Sequence, residues 1–228
     1  MRKIIAFEGI DGSGKTVQIN MLKDYLVATG YDVGYKEFPV YNSFFGQIIG
    51  DLLSGRGDVT AEDLDPQSMA LWFAMDRVQS SNKDDTNDCD ILLINRYVLS
   101  NAAYQSARCN CNTKKTPDEM IDWIIRLEHE ELGLPVPDVY IFFDVAKNQA
   151  ERNVNKKGHR DYIGDGKDIY EASDGMQSSA RRAYLRCVEK FDNTERIDCM
   201  DGDRFLSVEE IHSMVLNVLV KNKIINGR

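Results

Sequence analysis

The residues with the clearest chemical meaning lie close to the N-terminus, in the stretch FEGIDGSGKT at residues 7–16. Its spacing, Gly9-x-x-x-x-Gly14-Lys15-Thr16, is typical of a loop that wraps phosphates. Glycines let the backbone amides turn toward an anion, and the helix that follows adds the positive end of its dipole. Lys15 is expected to contact the β- and γ-phosphates, and the Thr16 hydroxyl can bind Mg²⁺. The predicted nucleoside triphosphate site consists of Gly9, Ile10, Asp11, Gly12, Ser13, Gly14, Lys15 and Thr16.

Nucleotide kinases, switch GTPases and motor ATPases can all carry such a phosphate loop, so other features must separate them. A switch GTPase also needs an Asn-Lys-x-Asp sequence to bind guanine. The nearest match, NKKG at residues 155–158, lacks the acidic residue that holds the purine amino group. A kinase instead needs an acceptor pocket, with cations that screen the acceptor phosphate from the donor.

The elements around the phosphate loop alternate between buried strands and amphipathic helices. Short apolar runs predict strands at residues 3–8, 33–38, 90–95 and 138–145, with an edge strand at 195–199. Helical spacing predicts helices after the phosphate loop and at residues 44–53, 67–79, 98–108, 117–132, 170–192 and 207–220. This alternation predicts one three-layer α/β domain over residues 1–228, with about five parallel strands flanked by helices. The phosphate loop, residues 39–41 and residues 95–97 all follow strands, where such sheets bind ligands.

Composition narrows the classes of function. The net charge of −9 argues against a nucleic-acid partner, because sequence-independent binding needs a basic face. No apolar run approaches the roughly 20 residues of a membrane span, and we expect no membrane partner and no leading signal segment. The cysteine count is odd, at five, which favours reduced thiols and a cytoplasmic location.

Four further stretches could form the acceptor pocket: FPVY at 38–41, LWFAMDR at 71–77, NRYVLSNAAYQSAR at 95–108 and KKGHRDYIGDGKDIYE at 156–171. Their order and spacing resemble the thymidylate kinase family over about residues 3–192. The segment at 95–108 is the most specific, since it is similar to the family's Asp-Arg-Tyr motif and the Ser-Asn-x-Ala-Tyr run beyond it. The resemblance implies a P-loop kinase fold that binds ATP and dTMP.

The resemblance also implies roles in binding the nucleotide acceptor. Phe73 would stack on the thymine ring, Arg77 would hydrogen-bond a base carbonyl, and Asn101 would offer the base both a donor and an acceptor. Tyr104 would crowd the sugar 2′ position, and Tyr41 would contact the acceptor phosphate region. The predicted substrate-binding set is Phe38, Tyr41, Phe73, Arg77, Arg96, Ser100, Asn101, Tyr104, Asp168 and Tyr170.

Spacing alone leaves simpler interpretations of the same residues open. Phe73 and Arg77 lie four apart on a helix, which is equally compatible with one core aromatic residue and one surface arginine. Ser100 and Asn101 could simply cap the helix that follows the third strand.

Catalysis is assigned to Lys15, Arg96, Arg160 and Asp11. A planar guanidinium can bind a phosphate in two places, and Arg96 follows a strand end on the side of Lys15. The polar segment at about 156–168 is predicted to be a lid that closes over the nucleotides. Gly12 stands where some family members place an arginine, and the resemblance implies that the lid then supplies this cation. Arg160 is the first choice and Lys157 the second. Asp11 would meet the acceptor 3′-hydroxyl or the magnesium water shell.

These residues together predict transfer of the γ-phosphoryl group of ATP to dTMP, with Mg²⁺, by a homodimer that the resemblance implies. The alternatives are a kinase for dUMP or a modified pyrimidine, and a nucleotide-binding protein of low activity. The second alternative arises because Asn95 stands where the family has aspartate. On sequence alone we treat Asn95 as a missing negative charge, so Asn95→Asp is expected to raise kcat/KM.

Overall fold

A computed structural model describes residues 2–55, 57–81, 88–146, 149–150, 168–172 and 175–226. Five strands form a parallel sheet in the order β2-β3-β1-β4-β5. The strands are β1 (Lys3–Glu8), β2 (Val33–Glu37), β3 (Ile91–Asn95), β4 (Val139–Asp144) and β5 (Thr194–Asp198). A short antiparallel hairpin, β6 (Met200–Asp201) and β7 (Arg204–Phe205), follows the sheet.

Helices flank the sheet and connect its strands. They are α1 (Lys15–Ala28), α2 (Phe44–Ser54), α3 (Pro66–Ser81), α4 (Val98–Ala107), α5 (Pro117–Ile125), α6 (Ile169–Ala172), α7 (Met176–Lys190) and α8 (Val208–Lys221). Helix α1 packs against α8, while α4 packs against α3, α5 and α7. In the part of the chain that the structure describes, we find no helix with the length and apolar character needed to cross a bilayer.

The sheet aligns three strand ends at the edge where ligands are expected. Strands β3 and β4 are buried at every residue, as a sheet covered on both faces requires. In the register of the sheet, Asn95 lies between Phe7 of β1 and Glu37 of β2. The phosphate loop and the segments after β2 and β3 therefore leave the sheet side by side.

The predicted α/β fold with five parallel strands is confirmed, and most element bounds agree within two residues. Two helices differ from the prediction. The helix expected at 117–132 is α-helical only to Ile125 and continues as a π-helix over Arg126–Glu131. The helix expected at 170–192 corresponds to α6 and to α7, which begins after Gly175. The lid predicted at 156–168 lies outside the described residues, except for Asp168.

Candidate active site

A cavity of about 830 Å³ opens at the carboxyl ends of β1, β2 and β3. It contains most of the predicted site residues that the structure describes: Asp11, Gly12, Ser13, Gly14, Lys15, Thr16, Phe38, Tyr41, Phe73, Arg77, Arg96, Ser100, Asn101, Tyr104, Asp168 and Tyr170. Residues from five separate segments of the sequence are thus brought to one place. Arg160 and Lys157 lie outside the described residues, so their assignment stays a prediction.

The phosphate loop joins β1 to α1 in a backbone conformation that only glycine adopts easily. Gly9 has a φ of +144°, and a Cβ there would lie 2.9 Å from the Phe143 carbonyl oxygen. Lys15 donates hydrogen bonds from Nζ to the carbonyl oxygens of Gly9, at 3.0 Å, and Ile10, at 2.9 Å. The lysine is 7% exposed, so it does not face solvent as a lysine on a surface loop would. Its ammonium group lies within the loop that would surround the phosphates.

Arg96 lines the same cavity as Lys15, and neighbouring side chains hold it in place. Its Nη2 lies 2.5 Å from Asp11 Oδ1, and its guanidinium lies over the Tyr104 ring at 5.3 Å. Asp11 Oδ2 also accepts hydrogen bonds from Tyr104 Oη at 3.0 Å and Gln177 Nε2 at 3.2 Å. Asp11 therefore positions Arg96 and Tyr104, a function that the sequence did not suggest.

Arg96 has an unusual backbone conformation, with a φ of +62°. An L-residue in the left-handed region is strained, and such strain is concentrated at functional sites. The backbone amide of Arg96 donates to the Phe7 carbonyl oxygen at 3.0 Å, which ties this residue to β1. The conformation directs the side chain from the end of β3 toward the phosphate loop.

A buried carboxylate beneath the loop was missed by sequence reasoning. Glu8 is fully buried and accepts hydrogen bonds from the Tyr97 amide, at 2.9 Å, and from Ser100 Oγ. Burial raises the pKa of the Glu8 carboxyl, although the hydrogen bonds from Ser100 and Tyr97 act against this. Ser100 Oγ is also 2.8 Å from Tyr184 Oη. The Ser100 hydroxyl therefore already contacts Glu8 and Tyr184 inside the protein, and its expected role as a substrate ligand stays a prediction.

The end of the cavity expected to hold the base is built around a second buried carboxylate, Glu128. Arg77 donates to it twice, from Nε at 2.5 Å and from Nη2 at 2.6 Å, and both side chains are at most 2% exposed. The interpretation of Arg77 as a surface arginine is therefore wrong. Two buried charges need such close pairing, because each alone loses several kcal/mol of hydration. Glu128 lies on the π-helix, and π-helical turns occur frequently at functional sites.

The Glu128 carboxylate also orients the side-chain amide of Asn101. Its Nδ2 donates to Glu128 Oε1 at 2.8 Å and to the Ala70 carbonyl oxygen at 3.0 Å, which uses both amide hydrogens. Its Oδ1 is buried with no protein partner. Asn101 therefore offers a ligand an acceptor only, which corrects the expectation that it offers both a donor and an acceptor.

Asn95 ends β3 and is paired across the sheet with a carboxylate. Its Nδ2 donates to Glu37 Oε1 at 2.9 Å, and its Oδ1 is buried with no protein partner. Glu37 Oε2 accepts a hydrogen bond from Tyr35 Oη at 2.9 Å. Asn95 stands where the family has aspartate, and the Glu37 carboxylate lies directly beside it. The site therefore does not lack a negative charge, although position 95 itself is neutral.

Asp168 and Tyr170, the predicted site residues at the end of the predicted lid, also line the cavity. Tyr170 is 5% exposed, and its ring stacks on Tyr104 with centroids 5.8 Å apart. Arg108 donates to Tyr170 Oη at 3.1 Å and to two carbonyl oxygens of the α2–α3 connection. Gly9 and Ile10 shape the phosphate loop from outside the cavity.

Sequence reasoning also missed an apolar wall on the outer side of the phosphate loop. Phe205, Val208 and Ile211 line the cavity from β7 and α8, next to Val17 on α1. The signal was present as three hydrophobic residues around the start of the last helix, but nothing in the sequence joined that helix to α1.

A phosphate loop, an arginine in the same cavity and a pocket lined by Arg77 and Asn101 at one sheet edge are the features of a phosphate-binding-loop kinase. The Thymidylate kinase family model matches residues 7–202. A thymidylate kinase of Mycobacterium tuberculosis is 31% identical over 185 residues, which cover 79% of this chain and 83% of the relative. A probable thymidylate kinase of Methanococcus aeolicus is 30% identical over 228 residues, which cover 99% of this chain and 100% of the relative.

The chain belongs to the thymidylate kinase family. This membership makes it a phosphotransferase and supports the phosphorylation of dTMP by ATP that the sequence led us to expect. The fold agrees with a solved structure of thymidylate kinase from Candida albicans, with a TM-score of 0.72 at 21% identity. That alignment covers 99% of this chain and 96% of the Candida chain.

Proposed function

We propose that this chain transfers the γ-phosphoryl group of ATP to dTMP, giving dTDP and ADP. The observation that carries the proposal is the cavity that joins the phosphate loop, Arg96 and the polar pocket around Asn101. One end has groups for a triphosphate, the other has groups for a base, and Arg96 lies between them.

The pocket presents a pattern of hydrogen-bonding groups that suits thymine. Asn101 offers an acceptor, because its amide hydrogens are held by Glu128 and Ala70. Arg77 is a donor-only side chain. Thymine has an N3–H donor beside its O4 acceptor, whereas cytosine has an N4 amino donor and an unprotonated N3. The two bases therefore present opposite groups to the same pair of side chains. Uracil matches the pattern as well as thymine does, so dUMP is the alternative acceptor.

Phosphoryl transfer in this site depends on positioning and on charge neutralisation. Lys15 and Arg96 stand at the donor and acceptor sides, and Arg160 is proposed to complete the set of cations from the lid. The Thr16 hydroxyl is an oxygen ligand of the kind that Mg²⁺ prefers, and the nucleotide phosphates would supply further oxygens. The Asp11 carboxylate would meet the acceptor 3′-hydroxyl or accept hydrogen bonds from the waters of the ion. When bound, Mg²⁺ neutralises charge on the phosphates.

A homodimer is also proposed. Two large apolar side chains on neighbouring helices are exposed, Phe44 on α2 at 64% and Leu71 on α3 at 43%. These helices border the base end of the cavity, and a second copy of the chain could cover them. The cytoplasmic location expected from the sequence stays a prediction.

Turnover can be tested with a coupled ADP-release assay against dTMP, dUMP, dCMP and dGMP. We expect dTMP to exceed dCMP and dGMP by at least about 10²-fold in kcat/KM, because unpaired polar groups in a wrong-base complex cost a few kcal/mol. Equal rates with all four acceptors would contradict the assignment of the base pocket. Absence of ADP release with any acceptor would contradict the proposed activity itself.

A further inference from the structure

Glu37 is a charged group of the cavity to which no role has been assigned. It ends β2, directly across the sheet from Asn95, which ends β3. Its Oε1 accepts a hydrogen bond from Asn95 Nδ2 and its Oε2 accepts one from Tyr35 Oη, each at 2.9 Å. Both of these partners are neutral, so the hydrogen bonds orient the carboxylate without neutralising its charge. Asp11, by contrast, is paired with the Arg96 guanidinium.

Asn95 provides an independent sign that a ligand binds here. It is 3% exposed and lines the cavity, and its Oδ1 has no protein partner. Buried polar atoms in native proteins are nearly always hydrogen-bonded, so an unpaired oxygen on a residue that lines a cavity indicates a ligand that donates. Because Asn95 Nδ2 donates to Glu37, the Asn95 Oδ1 atom and the Glu37 carboxylate are both acceptors at the same strand edge.

The ligand that fits these acceptors is a hydrated cation close to the phosphates. Glu37 and Asn95 line the same cavity as Thr16, Lys15 and Arg96. Mg²⁺ retains several waters when it binds proteins, and those waters are hydrogen-bond donors. A carboxylate and an amide oxygen accept from such waters, and the negative charge of the carboxylate also attracts the cation.

We propose that Glu37 supplies the negative charge that the family's aspartate supplies at position 95, with Asn95 as the positioning residue that orients Glu37. The inference rests on the proposed function, because the cation concerned is the one that accompanies ATP. It reverses the expectation drawn from the sequence for Asn95→Asp. An aspartate at position 95 would place two carboxylates at hydrogen-bond distance, and their repulsion would disturb both.

The test is a charge-exchange cycle of three variants: Glu37→Gln, Asn95→Asp and the double variant. We expect each single change to lower kcat/KM for the ATP and dTMP reaction by about tenfold or more. The double variant keeps the net charge and exchanges the two partners, since a glutamine amide at position 37 can donate to an aspartate carboxylate at position 95. Its kcat/KM should recover to within about threefold of the parent, a non-additivity expected only of side chains that act together.

A binding measurement separates a role toward the cation from a structural role. The affinity for ADP is measured by calorimetry with Mg²⁺ and with EDTA, in the parent and in each variant. The Mg²⁺ gain is the ratio of the affinity for ADP with Mg²⁺ to the affinity with EDTA. In Glu37→Gln this ratio should fall by about fivefold or more. The affinity in EDTA should stay unchanged or rise, because a negative charge near the phosphates is lost. Tyr35→Phe is the matched control: it removes a neighbour of Glu37 but keeps the carboxylate, and it should change the Mg²⁺ gain less than about twofold.

Each outcome decides between interpretations. If Glu37→Gln has parental kcat/KM and a parental Mg²⁺ gain, Glu37 has no role toward the cation. If kcat/KM of the double variant is lower than that of both single variants, the two side chains cannot exchange their roles. The proposal that Glu37 replaces an aspartate at position 95 is then wrong, even if Glu37 itself contributes to activity. If the losses in kcat/KM parallel the losses in melting temperature across all the variants, Glu37 and Asn95 have only a structural role. A parent chain that is inactive with ATP and dTMP but still shows the Glu37-dependent Mg²⁺ gain would contradict the proposed activity and leave this inference standing.

Discussion

Replacing Asn101 by alanine tests how the cavity distinguishes pyrimidines. In the parent, Oδ1 of Asn101 is buried without a protein partner, while Glu128 and Ala70 hold the amide hydrogens. Thymine N3–H can donate to this oxygen, but the unprotonated N3 of cytosine would face it lone pair to lone pair. The substitution removes both the favourable contact with dTMP and the unfavourable contact with dCMP.

The magnitude follows from these two contacts. A hydrogen bond within a protein is worth about 0.5–1.5 kcal/mol net, and a buried acceptor that faces another acceptor costs about 1–3 kcal/mol. Their sum of about 1.5–4.5 kcal/mol corresponds to a loss of about 10- to 2,000-fold in selectivity. We therefore expect the ratio of kcat/KM for dTMP to that for dCMP to fall at least about tenfold in Asn101→Ala.

Ser106→Ala is a suitable control, because Ser106 is also buried on α4 and donates one hydrogen bond, to the Ala103 carbonyl oxygen at 3.1 Å. It lies outside the cavity wall. Melting temperatures of the two variants measure the structural loss, and steady-state kinetics with both acceptors measure the selectivity. If Asn101→Ala keeps the parental ratio, or if Ser106→Ala loses it equally, the selection of thymine through a fixed acceptor is refuted.

Three further predictions concern the cations and the core. Lys15→Ala should abolish turnover while far-ultraviolet circular dichroism stays parental, because the lysine donates hydrogen bonds to Gly9, Ile10 and Ser13 of the phosphate loop and is not part of the apolar core; ATP-dependent phosphorylation in that variant would refute the assignment of the loop. Arg160→Ala should lower kcat, with little change in KM for dTMP, as expected for a contact made mainly in the transition state; if Lys157→Ala alone has this effect, the lid cation has been misassigned. Asp144→Asn should destabilise the fold by about 1–3 kcal/mol, seen as a melting temperature lower by about 2–10 °C, because the substitution removes a buried negative charge that pairs with both Arg181 and Arg196 and leaves Arg196, among the described residues, only its exposed partner Asp198. The exposed Asp201→Asn is its control, and an equal shift in both variants would show that Asp144 contributes no more than a surface ion pair does.

The sequence predicts well the features that depend on neighbouring residues. The strands at residues 3–8 and 91–95 contain the continuous apolar runs IIAF and ILLI, and parallel strands covered on both faces have that composition. The capping box at the start of α8 is predictable for the same reason, because Ser207 and Glu210 are only three residues apart in the sequence. The phosphate loop is recognisable for the same reason.

The sequence predicts poorly the contacts made between distant side chains. Glu128 follows Arg77 by 51 residues, and Glu37 precedes Asn95 by 58. Neither acidic residue has a local signal that separates it from the exposed glutamates around it. The resemblance drew attention to their partners, Arg77 and Asn95. A motif, however, describes only which side chains are present, and it does not describe which of their hydrogen-bond donors and acceptors are already occupied. That occupancy decides what Asn101 and Asn95 can offer a ligand.

The backbone of Arg96 has a consequence for how this protein balances stability against activity. A left-handed conformation costs an L-residue roughly 1–2 kcal/mol, and glycine would adopt the φ of +62° without that cost. Selection for a stable fold alone would therefore favour glycine at the end of β3. An arginine is held there instead, so the sheet carries a permanent strain in order to present one guanidinium. Native domains have only about 5–15 kcal/mol of net stability, and this position spends part of that margin on the reaction.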